Sequence, residues 1–121
     1  IYVRLWYYID GSWSYRDYTY PTCNCKPLIT SPSQGSTLPG SIVPFTWSAN
    51  GADVSVWWLF VGSTKGGHDI YNSKWSVRDS TSVTLDGLPI DGSTIYVRLW
   101  YYINSEWSYS DYYYTTIIQI R

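Results

Sequence analysis

"IYVRLWYYI" stands at residues 1–9 and returns, letter for letter, at residues 95–103. Ile95, Val97, Leu99, Tyr101 and Ile103 share one side of an extended chain, while Tyr96, Arg98, Trp100 and Tyr102 share the other. A period of two in β-branched and aromatic residues is the pattern of a strand, and the first set makes the better core face. The likeness continues past the nine letters, with 16 identities over 22 positions ending at Thr22 and Thr116, at an offset of 94 residues. Self-similarity at a fixed spacing signals repeated modules. The chain therefore reads as one module preceded by the end of another.

The rest of the sequence supplies the strands that such a module needs. "PTCNCKPLITSPSQGSTLPG", rich in Pro, Ser, Thr and Gly, reads as a linker running into an irregular first strand at residues 28–31. A second strand is expected over 41–48, with Val43, Phe45 and Trp47 on one face. Pro44 points away from that face and, lacking an N–H, asks for an edge or a bulge. A third strand over 54–61 is apolar on both faces, so one face must find cover beyond the core. "DIYNSKW" and "SVTLDGL" follow, the latter placing Val83 and Leu85 on one side. The repeated strand then turns at "INSEW" into a last strand over 107–116. In the first copy the turn reads "IDGSW", whose Asp10-Gly11 is a strong two-residue hairpin signal.

The expected fold is all-β: an antiparallel β-sandwich of about seven strands, plus an extra N-terminal hairpin that repeats the last two strands. The expected division is 1–22 for the hairpin of a preceding, incomplete module, 23–30 for a linker, and 27–121 for the complete module. The run "TSVTLDGLPIDGSTIYVRLWYYINSEWSYSDYYYT" at 81–115 resembles the last three strands of a fibronectin type III or immunoglobulin-like module. With "FTWSA" and "WWLFVGST" it is similar to repeat modules of bacterial secreted and cell-surface proteins. In fibronectin-type modules a tyrosine usually opens the penultimate strand, and here Ile95 stands there. The resemblance implies a non-catalytic structural or adhesive module, placed outside the cell or on its surface, and it implies no cofactor.

Composition narrows the partners. Eight Lys and Arg against 9 Asp and Glu give a formal net charge of -1, which leaves no basic face for a phosphate backbone. No apolar run approaches the roughly 18 residues of a membrane helix, so no membrane insertion is expected. There is no Met, and residue 1 falls inside a strand pattern, so residues upstream are expected, in a processed secreted protein or a piece of a longer one.

Reactive chemistry is sparse. His68, the single histidine, sits in "KGGHDI" and reads as a turn residue, with no arrangement that pairs it with a nucleophile. Asp53, Asp79, Asp86 and Asp91 are scattered singly among turns, where Asp is at home. No enzyme is expected, and no metal or cofactor. Cys23 and Cys25, in "CNC", point to opposite sides of an extended chain, which opposes a bond between them. Free thiols, half of a metal site completed by another chain, and disulfides to a neighbouring molecule all stay open.

Eight Trp and 14 Tyr make the chain strongly aromatic. Tyr96, Arg98, Trp100 and Tyr102, with Trp58 and Phe60 adjoining, are expected to form a surface for a neighbouring module or a sugar ring, and Tyr2, Arg4, Trp6 and Tyr8 repeat it in the first copy. An isolated hairpin is marginal in water, so the surplus first hairpin needs a partner. Self-contact, in a filament assembled head-to-tail or between neighbouring modules, is the expected partnership. A carbohydrate-binding module using the aromatic surface is the alternative.

Overall fold

The computed structural model describes residues 2–19 and 26–119. Its elements are β1 (Tyr2–Ile9), β2 (Ser12–Thr19), β3 (Leu28–Ser31), β4 (Val43–Ser48), β5 (Val56–Gly62), β6 (Tyr71–Asn72), a 3-10 helix (Lys74–Val77), β7 (Ser82–Leu85), β8 (Thr94–Ile103) and β9 (Glu106–Thr115). No α-helix occurs among the described residues. Strands pair antiparallel in three sheets, ordered β1-β2, β3-β4-β7 and β6-β5-β8-β9.

The second and third sheets face each other over one core. Phe45 of β4 meets Tyr114 of β9 edge-on at 5.4 Å, and Trp47 of β4 meets Trp57 of β5 at 6.2 Å. Alternation builds this core: Val43, Phe45 and Trp47 from β4, Trp57, Leu59 and Val61 from β5, and Ile95, Val97, Leu99 and Tyr101 from β8 are all buried. Three core rings have their polar tips paired, as burial favours. Tyr114 Oη donates to the Pro32 carbonyl at 2.9 Å, Trp47 Nε1 donates to the Ser80 carbonyl at 3.1 Å, and the Tyr101 and Ser110 hydroxyls bond at 3.0 Å. Burial pushes the Tyr114 hydroxyl above its ordinary range, so it stays a neutral donor.

Pro44 lies in the central strand of its sheet, exposed, opposite Thr84 of β7. The Trp47 amide bonds toward Thr81, next to β7, so alternation turns the Pro44 nitrogen toward β3. Pairing with β3 has already ended, at Ser31 opposite Thr46. The missing N–H therefore interrupts no ladder. The "DIYNSKW" segment pairs only at Tyr71 and Asn72, then winds into the 3-10 helix, which sinks Val77 into the core. On the far side of the third sheet, residues 35–38 run along β9: the Gly35 and Leu38 amides donate to the Tyr113 and Thr115 carbonyls, and the Thr115 amide donates to Ser36.

Both hairpins turn over two residues with positive φ, Asp10 and Gly11 in one and Asn104 and Ser105 in the other. Such turns match the twist of the flanking strands, and they fix the register.

Two loop carboxylates hold connections by accepting from nearby donors. Asp69 accepts from the Ser63 hydroxyl at 2.7 Å and amide at 2.9 Å, and Asp91 accepts from the Ser93 hydroxyl at 2.6 Å and amide at 3.1 Å. These bonds, the hydroxyl's foremost, hold both carboxyls below the usual range. A carboxyl lowered in the folded state adds stability above its unfolded pKa, near 4, and loses it as pH falls through the folded value. The urea midpoint should therefore drop as pH is lowered below about 4. The double variant Asp69→Asn, Asp91→Asn should flatten that acid limb; an unchanged limb would assign the loss to other groups.

Candidate functional site

The outer face of the third sheet carries the aromatic surface. Because β5, β8 and β9 lie side by side, their outward residues fall into rows: Trp58 opposite Trp100, Phe60 opposite Arg98, Trp100 opposite Tyr109, Tyr102 opposite Trp107, and Arg98 opposite Asp111. The rings tilt against one another rather than lying flat. Phe60 meets Trp100 at 5.8 Å and 73°, Trp107 meets Trp100 at 6.5 Å and 85°, and Tyr109 meets Trp100 at 5.0 Å and 57°. Trp75 rises from the 3-10 helix and packs on Trp58 at 5.1 Å and 62°. Trp58, Phe60, Trp75, Trp100 and Trp107 together line an open cleft of about 440 Å³, within the size range of small-ligand sites.

Polar groups steady these walls. Trp58 Nε1 donates to Asn72 Oδ1 at 2.7 Å, and the same oxygen accepts from the Lys74 amide at 3.1 Å, tying the start of the 3-10 helix to the sheet. Arg98 Nε and Nη2 grip both Asp111 oxygens at 2.7 and 2.8 Å while the guanidinium lies 3.8 Å from the Tyr109 ring centre. The bonds to Asp111, above all, raise the Arg98 pKa, so the group is a fixed cation. Trp100 Nε1 is buried without a hydrogen-bond partner among the described residues. His68 rests on Phe60 at 4.7 Å, and its neighbour Asp69 is occupied by Ser63.

The cleft unites Trp58, Phe60 and Trp100 and leaves three of the anticipated residues, Tyr96, Arg98 and Tyr102, beside it. Tyr102 packs on Trp107 at 5.1 Å, and Tyr96 lines a separate hollow with Gln34, Lys65 and Tyr113. Trp75, Trp107, Tyr109 and Asp111 were not anticipated. The last three were legible in the sequence, because the turn at Asn104-Ser105 sets each residue of β9 opposite a known residue of β8. Trp75 had no such signal. The apolar outer side of β5 finds its cover here, from Trp75, Trp100 and His68.

The first hairpin rebuilds the same ladder at the same register. Arg4 grips Asp17 at 2.7 and 3.1 Å and lies 4.2 Å from Tyr15; Trp6 meets Tyr15 at 5.0 Å and Tyr8 meets Trp13 at 5.3 Å. That bond with Arg4 holds the Asp17 carboxyl below its usual range. Tyr2, opposite Thr19, is exposed. The difference lies on the other face. Val3, Leu5 and Ile9 are exposed, whereas Val97 and Leu99, the counterparts of the first two, are buried. β1 and β2 pair only with each other among the described residues.

Cys23 and Cys25 lie outside the described residues. Comparison with protein-family models found no match, and comparison with curated proteins found no relative.

Proposed function

We propose that the chain is part of a tandem array of fibronectin type III-like modules, non-catalytic and structural or adhesive, in a secreted or surface protein. On this proposal β1-β2 closes one module and residues 27–121 form the next. One observation carries it. Two hairpins share their register, their ion pair and their aromatic ladder, yet the face that is core in one is bare in the other. A bare strip of Val, Leu and Ile on a lone hairpin is unstable in water, and the sequence that makes it is one that elsewhere in this chain closes a sandwich. The sheet order, β3-β4-β7 against β6-β5-β8-β9, supports the fibronectin-type assignment. Partners are then copies of the same kind of module, joined along one polypeptide, with Cys23 and Cys25 the candidates for disulfides to a neighbouring molecule.

Negative-stain microscopy of the native material, with non-reducing electrophoresis, tests this directly. Strings of beads or filaments are expected. Isolated particles of single-sandwich size, with both thiols titratable, would overturn it.

The Trp-lined cleft favours a second role, carbohydrate binding by stacking of sugar rings. Trp75 is 57% exposed, so Trp75→Ala should leave the fold intact. It should weaken binding on a glycan array by roughly 3- to 10-fold, the worth of one aromatic contact. Absence of binding to every glycan would remove this role.

A further inference from the structure

The departures between the two hairpins are not scattered. Three fall at the turn, where Asp10, Gly11 and Ser12 correspond to Asn104, Ser105 and Glu106. The other three fall on the second strand and just after it: Arg16 for Ser110, Thr19 for Tyr113 and Pro21 for Thr115. Every residue of the first strand, which in β8 lies against β5, is the same.

Each of the latter three positions meets the opposite edge of the sandwich. Ser110, 9% exposed and bonded to Tyr101, lines a hollow with Lys26, Pro27 and Leu28. Arg16 in that place would drive a guanidinium into a buried position of the hollow that Lys26 lines together with Asp111, and two cations sharing one hollow repel. The Tyr113 ring lies under Gly35, about 3.6 Å from where a side chain there would begin, and its amide donates to Gln34 at 3.0 Å; threonine brings no ring. The Thr115 amide donates to Ser36 at 3.1 Å, a bond proline cannot make. The side that meets β5 is kept; on the other side the tyrosines that bond Ile29 and Pro32, Tyr112 and Tyr114, keep counterparts in Tyr18 and Tyr20, while the positions that meet Lys26 and residues 34–36 are changed.

We infer that the first hairpin is keyed to a sandwich body other than the one in this chain: a body with a β5-type strand but with an acidic group where this one has Lys26. The inference rests on the tandem reading above. It gives the array a safeguard, since hairpins of such similar sequence would otherwise exchange between neighbouring modules during folding. The face of β1-β2 is thus an interaction surface that accepts a related module and rejects a second copy of this one.

Leu99→Asp in the full chain disables β8 and leaves its body open to the first hairpin of another copy. Near-UV circular dichroism and sedimentation should then show loss of core packing and no folded dimer. Adding Arg16→Ser, Thr19→Tyr and Pro21→Thr to Leu99→Asp should restore a folded, exchanged dimer. Adding Lys26→Glu alone should raise the folded fraction about tenfold or more over Leu99→Asp, by replacing repulsion with attraction. A folded dimer of Leu99→Asp alone would overturn the keying while leaving the tandem reading in place. No gain from Lys26→Glu would overturn the acidic partner. Failure of the triple reversion would show that the hairpin closes no body of this type, and the tandem reading would fall with the keying.

Discussion

Leu99→Ala should lower the unfolding free energy by about 2–5 kcal/mol, and Leu5→Ala, the same change in the same nine-residue context, should leave that transition within about 0.5 kcal/mol. Leu99 is 0% exposed, paired with Leu59 on β5 and surrounded by the core. Truncation there loses the transfer of three carbons from water and leaves a cavity that two facing sheets cannot fully close. Leu5 is 54% exposed on a hairpin that pairs with nothing further among the described residues. Little apolar contact is lost when it is shortened. Chemical denaturation of both variants, followed by tryptophan fluorescence, compares them in one experiment. If the hairpin is covered by a preceding module, Leu5→Ala should become as costly as Leu99→Ala in a polypeptide that includes that module. Equal small effects in both settings would show that the first hairpin has no core role.

Phe45→Ala should be the most damaging single truncation, at about 3–5 kcal/mol. Phe45 is 0% exposed in the middle of β4 and meets Tyr114 edge-on at 5.4 Å. The contact spans the two sheets, since β4 belongs to one and β9 to the other. Its loss costs the burial of a whole ring and the edge-to-face term of roughly 0.5–1.5 kcal/mol. It also frees Tyr114, whose hydroxyl is the bond from β9 to Pro32 after β3. Tyr114→Phe removes that bond alone and should cost about 1 kcal/mol. A guanidinium titration separates the two: a Phe45→Ala midpoint no lower than that of Tyr114→Phe would show that the core relaxes into the space.

On the tandem proposal, the first hairpin repeats part of the cleft. Trp6 and Trp13 correspond to Trp100 and Trp107, two walls of the cleft, and they already stand in place on the first hairpin. A body that supplies counterparts of Trp58 and Trp75 would complete a second cleft there. Repeated sites along one polypeptide bind a repeating ligand far more tightly than each site does alone.

Much of the architecture was legible in the sequence because strand signals are local. Alternation at Val43, Phe45 and Trp47 and along β8 fixed which residues face inward, and a one-residue slip would turn all of them to water. The two-residue turns set the register of both hairpins, so Arg98 had to lie opposite Asp111 and Arg4 opposite Asp17. Contacts between elements distant along the chain were not legible. Trp75 covers Trp58 because the chain after β6 winds into a 3-10 helix instead of continuing as a strand, and residues 35–38 cap β9 because the path from β3 to β4 passes that edge. The repeat itself marks the division most sharply. By itself the sequence determined that "IYVRLWYYI" is a strand with one apolar face and one aromatic face. Tertiary structure alone decided that one copy buries the apolar face and the other leaves it bare, because burial depends on whether a β5 and an opposing sheet are present to cover it.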